Sequence, residues 1–421
     1  MATVPDAKAD FAALLVRWQR LEGRHDLPWQ NTQDPYRIWV SEIMLQQTQV
    51  ATVTRYYDVF IARFPDIHCL AQASLDDVLA LWSGLGYYRR AKLLHACAQT
   101  IVARFQGEFP REEQALAELP GIGRSTAAAI AAFAFQRRAA ILDGNVKRVL
   151  ARVFALELDT QSSKALHAFW SLAESLLPQS EDMPAYTQGL MDLGATRCLQ
   201  RQPRCEQCPL QAVCKAKSQG RERALPLAKP KKSLPLRYWL MVWISDGQSI
   251  LLIRRPEHGI WASMWSLPTI ESLPESLIGH LMANPQPDQA LKDKRSIMRT
   301  MHLLWQQACT QRLDTKRLDT QPLARPIFNV LKSSIKQDAR LDWHSYVAQS
   351  FTHFRLHAPL LHIRLHRDVT SKEDLQVRDV AQVYGMEDPL VGHHQFLWIQ
   401  PKDALNLGIP RCLRQLIGAS N

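Results

Sequence analysis

The chain has 421 residues, 46% of them hydrophobic, and carries 51 Lys and Arg against 40 Asp and Glu, a formal net charge of +11. A chain of this size buries more than one core, so two or three domains are expected. The positive balance suits a polyanion; with no apolar run of spanning length and no lipidation signal, a membrane partner is excluded and nucleic acid is the leading one.

Met1 to Phe11 is polar and charged without an apolar segment, so no secretory signal accounts for the eight cysteines as disulfides. A reducing compartment is expected. From Phe11 to about residue 215 apolar residues recur at helical spacing, as in Phe11, Leu14, Leu15, Trp18 and Leu21, and Ser74-x-x-Asp77 is a helix-capping signal. This half reads as all-helical.

A helix beginning near Tyr36 carries apolar Trp39, Val40, Ile43, Met44 and Val50, with Glu42, Gln46 and Gln49 along one polar stripe. A single carboxyl among apolar neighbours has its pKa raised by desolvation, which suits a general acid. Further on, Leu119-Pro120-Gly121-Ile122-Gly123 separates two helical segments, the second being the Ala-rich Arg124 to Ala134. The glycines allow a turn whose bare N–H groups, with the helix N-terminus, seat a phosphate; a tight interhelical corner without ligand is the competing reading. In Ile141-Leu142-Asp143-Gly144-Asn145-Val146 the carboxylate opens a helix and stays ionised there, either as a plain N-cap or as the anion of an acid and anion pair with Glu42. Such a pair is what cleavage of a glycosidic bond through an oxocarbenium-like state requires.

Cys198, Cys205, Cys208 and Cys214 follow in the spacing C-x6-C-x2-C-x5-C, with Arg197, Arg201, Arg204, Lys215, Lys217, Arg221 and Arg223 interleaved or following. Four soft thiolates suit structural zinc or a 4Fe-4S cluster, and the spacing alone leaves both open. The bound metal would fix a cationic loop in place. The remaining cysteines, Cys69, Cys97, Cys309 and Cys412, are isolated and read as small buried apolar residues. Between 224 and 236, prolines alternate with lysines in what reads as an extended, solvated linker. Beyond it, Trp239 to Ile244, the Asp246-Gly247 turn pair and Ile250 to Ile253 form a hairpin signal that opens a mixed α and β domain. Residues 271 to 345 have weak periodicity, and their tandem Arg-Leu-Asp-Thr is too short to imply a repeat fold.

The helical half closely resembles the A/G-specific adenine DNA glycosylases, the MutY family, within the helix-hairpin-helix superfamily that also contains endonuclease III. The resemblance is carried by Leu27-Pro28-Trp29, Trp39 to Thr48, Leu85-Gly86-Tyr87-Tyr88, Leu119 to Thr126, Leu142 to Val146, Met191 to Ala195 and the four cysteines. It implies a multidomain protein: an all-α helix-hairpin-helix glycosylase domain over 1–223, with the hairpin at about 115–135 and an iron-sulfur loop at 198–214, then a linker over 224–236 and an α+β Nudix-like domain over 237–421. It implies a 4Fe-4S cluster, structural in role, on the four cysteines, and a bent duplex with adenine flipped into a pocket, because the reacting bond is inaccessible in the stack. Glu42 would protonate the departing base and Asp143 stabilise or briefly trap the sugar cation. Gln46 and Tyr87 match residues that wedge into the duplex, Trp29 and Gln188 would line the base pocket, and Gly121, Gly123, Ser125 and Asn145 fall within the matched DNA-contacting blocks. Lyase relatives carry a Lys nucleophile where this chain has Ser125, which cannot form a Schiff base, so base removal without strand cleavage is expected.

The C-terminal half is matched more weakly, in Arg255 to Pro268, Trp398 and Leu405 to Pro410. The acidic Nudix box is missing from it, so magnesium-dependent pyrophosphate hydrolysis is not expected. Phe351-Thr352-His353-Phe354 resembles the element with which the family reads 8-oxoguanine opposite adenine, Thr352 keeping the hydroxyl of the family's Ser and adding a methyl. His353 on a half-buried strand is the competing reading of that element. Duplex DNA with A:8-oxoguanine or A:G mispairs is thus the expected partner, with replication or repair proteins as further ones. A monomer at the nucleoid of a bacterial cytoplasm is expected from the lack of a transit peptide or nuclear signal. The alternatives are an endonuclease III-like glycosylase-lyase for oxidised pyrimidines, which Ser125 and the long C-terminal half disfavour, and an inert iron-sulfur DNA-binding protein, from which Glu42 and Asp143 discriminate.

Overall fold

The computed structural model describes residues 7–159, 162–227, 233–271, 340–364 and 396–419. The Arg-Leu-Asp-Thr tandem, Cys309 and most of 271–345 lie outside the described residues. The chain divides into two compact units, one drawn from Met1–Leu81 and Arg89–Lys231, the other from Trp82–Tyr88 and Lys232–Asn421.

In the first unit the described residues form helices α1 (Ala7–Glu22), α2 (Pro35–Leu45), α3 (Val50–Arg63), α4 (Ile67–Gln72), α5 (Leu75–Trp82), α6 (Arg89–Phe105), α7 (Glu113–Ala117), α8 (Arg124–Phe135), α9 (Gly144–Val153), α10 (Ser163–Ser175), α11 (Met183–Thr196) and α12 (Lys215–Ser218). The Ala-rich α8 is the buried axis: Ala127 to Ala132 are all fully buried, and their small side chains let α2, α7 and α11 pack against it. Around it lie Trp39 and Phe11, both fully buried. Phe11 meets Tyr186 at 6.2 Å and Phe154 at 5.8 Å, which seats α1 on α11 and α9. Local signals act as their chemistry dictates. Ser74 Oγ accepts from the Asp77 N–H at 3.1 Å and opens α5, while Asp34 accepts from the Tyr36 N–H at 2.9 Å ahead of Pro35 at the start of α2.

The stripe of Glu42, Gln46 and Gln49 on one helix needs correction. Helix α2 ends at Leu45, Gln46 is its C-cap, Gln49 is the N-cap of α3, and Gln47 between them is left-handed at φ 57°. No glycine or proline marks this break. The carbonyls released there are taken by a side chain from far along the sequence, Arg90, whose Nη1 donates to Ile43 O, Met44 O and Gln46 O at 2.7, 2.9 and 2.5 Å.

The linker is also not wholly solvated. Leu225 is buried at 1% exposure and its carbonyl accepts from the Nε of fully buried Arg152 at 2.9 Å, so residues 224–227 belong to the helical unit. Of the remainder, 228–232 lie outside the described residues.

The second unit is a mixed sheet of β1 (Leu236–Tyr238), β2 (Leu240–Ser245), β3 (Ile250–Arg254), β4 (Trp265–Ser266), β5 (Thr269–Ile270), β6 (Arg340–Ser350), β7 (Arg355–Arg364) and β8 (Phe396–Ile399), followed by α13 (Pro401–Ala404) and α14 (Arg411–Ala419). Strand β2 lies between β7, parallel to it, and β3 and β5, antiparallel. All six of its residues are buried, which explains a continuous apolar run in place of alternation. The predicted hairpin closes where Asp246 Oδ1 accepts from the N–H groups of Gln248 and Ser249 at 2.8 and 2.7 Å. Strands β6 and β7 pair antiparallel from Ser350↔Arg355 to Arg340↔Arg364.

Candidate active site

A cavity of about 1730 Å³ opens in the first unit. Glu42 comes to it from the last turn of α2, Ser125 and Thr126 from the first turn of α8, Asp143 and Asn145 from the start of α9, Gln188 from α11, and Trp29 and Gln46 from the segments flanking α2. Sequence places these residues far apart. Seven of the positions singled out above, Trp29, Glu42, Gln46, Ser125, Asp143, Asn145 and Gln188, therefore line one cavity.

Glu42 is half-buried among Ser41, Ile43 and Met44, all buried. Desolvation, and secondarily the charge of Asp143, push its carboxyl up to about 8 from an ordinary value near 4.5. It is protonated at neutral pH. Asp143 Oδ1 accepts from the Val146 N–H at 2.8 Å as the N-cap of α9, and Oδ2 accepts from Asn145 Nδ2 at 3.3 Å. The same Asp143 side chain that caps α9 also lines the cavity. Two carboxyl side chains from distant parts of the chain, Glu42 and Asp143, thus face one space.

The surrounding groups are held in turn. Gln46 Nε2 donates to Thr126 Oγ1 at 3.2 Å. Ser125 Oγ accepts from the Leu142 N–H at 3.0 Å, tying α8 to the residue before Asp143. Trp29 stacks edge-on against Tyr57 at 5.5 Å. Gln188 Nε2 donates to Oδ1 of Asp192, a fully buried carboxylate that also receives Arg24 Nε and Nη2 at 2.7 and 2.6 Å. The Arg24 and Asp192 pair is absent from the sequence-based set; its only signal was the Asp within Met191 to Ala195. Gly194 has a packing reason, because a Cβ there would lie 2.6 Å from Asn145 Cβ.

The glycine turn lies outside the cavity wall. Gly121 is left-handed at φ 77°, and a Cβ on it would meet Leu93 Cβ at 2.7 Å. Gly123, the N-cap of α8 at φ −85°, has no atom within 4 Å of where a Cβ would sit. Its lack of a side chain leaves open the approach to the first N–H groups of α8.

The four cysteines carry no disulfide and lie near enough to act electrostatically on one another. Backbone N–H groups reach two of the sulfurs, from Leu210 to Cys208 and from Ala216 and Lys217 to Cys214. Arg152, buried at 2% exposure, donates from Nη1 to Cys198 Sγ at 3.4 Å and to Leu199 O at 2.7 Å, and from Nη2 to Gln200 O at 2.9 Å. One turn earlier on α9, Arg148 donates to Cys198 O and Gly194 O at 2.8 and 2.7 Å. Thus the helix that presents Asp143 also anchors the cysteine loop. Among the described residues no three His, Cys, Asp or Glu side chains converge at the spacing of ligands to a single metal ion. The loop is less cationic than its composition indicates: Lys217 pairs with Glu206, Arg221 with Glu157 and Arg197 with Glu22, while Arg201 and Arg223 line the cavity.

Tyr87, Thr352 and His353 belong to the second unit. Tyr87 is left-handed at φ 50° and 48% exposed. The strand reading of His353 is overturned. Phe351 and Phe354 stack at 4.6 Å and close the β6–β7 turn through a 2.9 Å N–H to O bond, so Thr352 and His353 project exposed from its tip.

A helical unit with a glycine turn, and a cavity on which Glu42 and Asp143 both open, is the arrangement expected of a base excision DNA glycosylase. Residues 40–175 match the HhH-GPD superfamily of base excision DNA repair proteins. The chain is 39% identical over 268 residues to the adenine DNA glycosylase of Buchnera aphidicola subsp. Acyrthosiphon pisum, covering 64% of this chain and 76% of that one. It is 41% identical over 314 residues to the adenine DNA glycosylase of Homo sapiens, covering 62% of this chain and 57% of that one. The chain belongs to the adenine DNA glycosylase family. No described helix is long and apolar enough to cross a membrane.

Proposed function

We propose that the protein removes adenine opposite 8-oxoguanine or guanine from duplex DNA by hydrolysing the N-glycosidic bond, without cutting the strand. The observation that carries this reading is the meeting of Glu42 and Asp143, 101 positions apart in sequence, on one cavity, where burial and the charge of Asp143 raise the Glu42 carboxyl and the start of α9 holds Asp143. Glu42 donates its proton to the departing base as the bond to the sugar lengthens. Asp143 stabilises or briefly traps the cation left on the sugar, and water completes the hydrolysis. Trp29 and Gln188 line the pocket for the flipped base, Gln46 and Tyr87 are each read as residues that wedge into the duplex, and Asn145 braces Asp143. Ser125 offers no amine for a Schiff base.

Cys198, Cys205, Cys208 and Cys214 would hold a 4Fe-4S cluster, whose contribution is structural. The donor set fits in its chemistry: four soft sulfurs on one loop, two of them met by backbone N–H groups and Cys198 by the Arg152 guanidinium. The second unit is read as a Nudix-like lesion reader, with Thr352 and His353 contacting 8-oxoguanine from the exposed turn. Incubating the protein with duplexes holding adenine opposite 8-oxoguanine, guanine or thymine should release adenine from the first two in preference to the third. Strand breaks should appear after alkali and not before; breaks without alkali, or equal release from all three, would contradict the proposal. Iron-dependent visible absorption of the same sample checks the cluster.

The glycine turn seats a backbone phosphate through the N–H groups at the start of α8. Gly123→Ala should cost about 1 kcal/mol or less of stability yet weaken duplex binding, because its methyl enters the open approach. Gly121→Ala should instead destabilise the fold by about 1–3 kcal/mol, since left-handed backbone and Leu93 both oppose a Cβ. Thermal unfolding and binding isotherms separate the two effects.

A further inference from the structure

We infer that Arg90 is a positioning residue for base release: by holding the C-terminal turn of α2 it fixes Glu42 and Gln46 on the cavity. This inference rests on Glu42 being the acid. Four residues without glycine or proline, Gln46 to Gln49, separate α2 from α3, and Gln47 takes a left-handed conformation that favours glycine. Such a turn persists only where its surroundings over-determine it. Arg90 supplies that constraint. Its Nη1 gathers the carbonyls of Ile43, Met44 and Gln46, and its Nη2 donates to Thr48 Oγ1 at 3.0 Å. Ile43 and Met44 directly follow Glu42, and Gln46 carries the amide that reaches Thr126.

Arg90 is an unfavourable choice for its own helix. It is the second residue of α6, where a cation opposes the helix dipole. At the far end of α2 the same charge meets the negative end of a dipole and three carbonyls released by the helix stop. The local conflict and the distant gain place the value of this residue at the turn that carries the acid.

If the turn frays, water reaches Glu42 and the desolvation that keeps it protonated is lost. The elements packed on α2 are α3, α6 and α8. Of the α3 and α8 residues lining the cavity, Val50, Ser125 and Thr126 carry no charge, and α6 supplies Arg90 itself. Asp143 from α9 acts on Glu42 directly, and the cavity further holds Arg24, His25, Arg148, Asp159, Arg201 and Arg223.

The test measures single-turnover adenine release, mispair affinity and thermal unfolding for the full chain with Arg90→Ala, Arg90→Lys and Glu42→Gln. For Arg90→Ala the rate constant should fall about 10–100-fold with mispair affinity changing far less, and the alkaline limb of the rate profile should move to lower pH. Arg90→Lys, a cation that can still donate to the carbonyls but lacks the fork reaching Thr48, should recover part of the rate and of the limb. A folded Arg90→Ala protein with the parent rate and limb would overturn the inference. So would losses of rate and affinity in equal proportion with the limb unmoved, which is the mark of a merely structural role. Should Arg90→Ala not fold, Arg90→Lys and Thr48→Ala decide: parent-like profiles from both overturn the inference, and a limb displaced in either supports it. An active Glu42→Gln protein would sink the acid assignment itself, whereas an inactive one beside a parent-like Arg90→Ala sinks only the role of Arg90.

Discussion

Glu42→Gln is expected to lower the single-turnover rate of adenine release by about 10²–10⁴-fold, the range that a positioned general acid supplies, while mispair binding stays within a few-fold. Gln keeps the length of the side chain and donates a hydrogen bond, but it has no proton to transfer. The parent rate should hold through neutral pH and decline above about 8, where Glu42 loses the proton that burial and Asp143 keep on it. The substitution should move stability the opposite way to the rate. The folded state binds this proton more tightly than the unfolded chain, so the contribution of Glu42 to stability is fully present below about pH 4.5 and is lost as pH rises toward 8. At pH 7 the loss amounts to up to about 3 kcal/mol, at 1.36 kcal/mol for each unit of pKa. Gln is neutral in both states and escapes it. The variant should therefore unfold at higher temperature than the parent at pH 7–8, with the difference shrinking as pH falls to 5. An inactive variant with no such pH-dependent gain in stability would mean that the loss of rate came from disturbed packing.

What the sequence made legible was local. The N-cap of α9 could be read because Asp143 directly precedes the residues it caps, and the hairpin at Asp246-Gly247 because a turn residue bonds its own neighbours. The glycine turn could be read for the same reason. The end of α2 was not legible. Its polar and apolar periodicity runs on to Val50, and what stops the helix is Arg90, more than forty residues later. Arg152 was missed likewise: one guanidinium bonds Cys198, Leu199, Gln200 and Leu225, which no window of neighbouring residues contains. That bond also explains why the start of the linker is packed rather than solvated. The charges of the cysteine loop were visible, but not their neutralisation by Glu22, Glu157 and Glu206, two of them from distant parts of the chain. His353 was read as a strand or a lesion-contacting residue because a short polar interruption in a β pattern does not reveal whether the chain reverses. The stacked Phe351 and Phe354 show that it does.

Asp143→Asn separates the cap of α9 from the chemistry, because Asn and Asp cap helices about equally well. The carbonyl oxygen of the introduced amide can accept from the Val146 N–H as Oδ1 now does. Its NH₂ group then faces Asn145 Nδ2, now the donor to Oδ2, and that donor against donor contact makes Asn145 turn while Arg148 still holds its carbonyl oxygen at 2.9 Å. The net cost should be about 0.5 kcal/mol or less by thermal unfolding. Asp143→Ala removes the cap outright and should cost about 1 kcal/mol. Both variants should lose base release by about 10²–10³-fold, because neither places a negative charge beside the sugar cation. The neutral Asn should also ease Glu42: with the Asp143 charge gone, its titration followed by carboxyl-labelled NMR should fall below 8 yet remain above 4.5, because desolvation is the larger cause of its shift. If Asp143→Asn kept the parent rate, the carboxylate would be a helix cap and nothing more. If Glu42 titrated unchanged in that variant, the two groups would not share the field that the shared cavity implies.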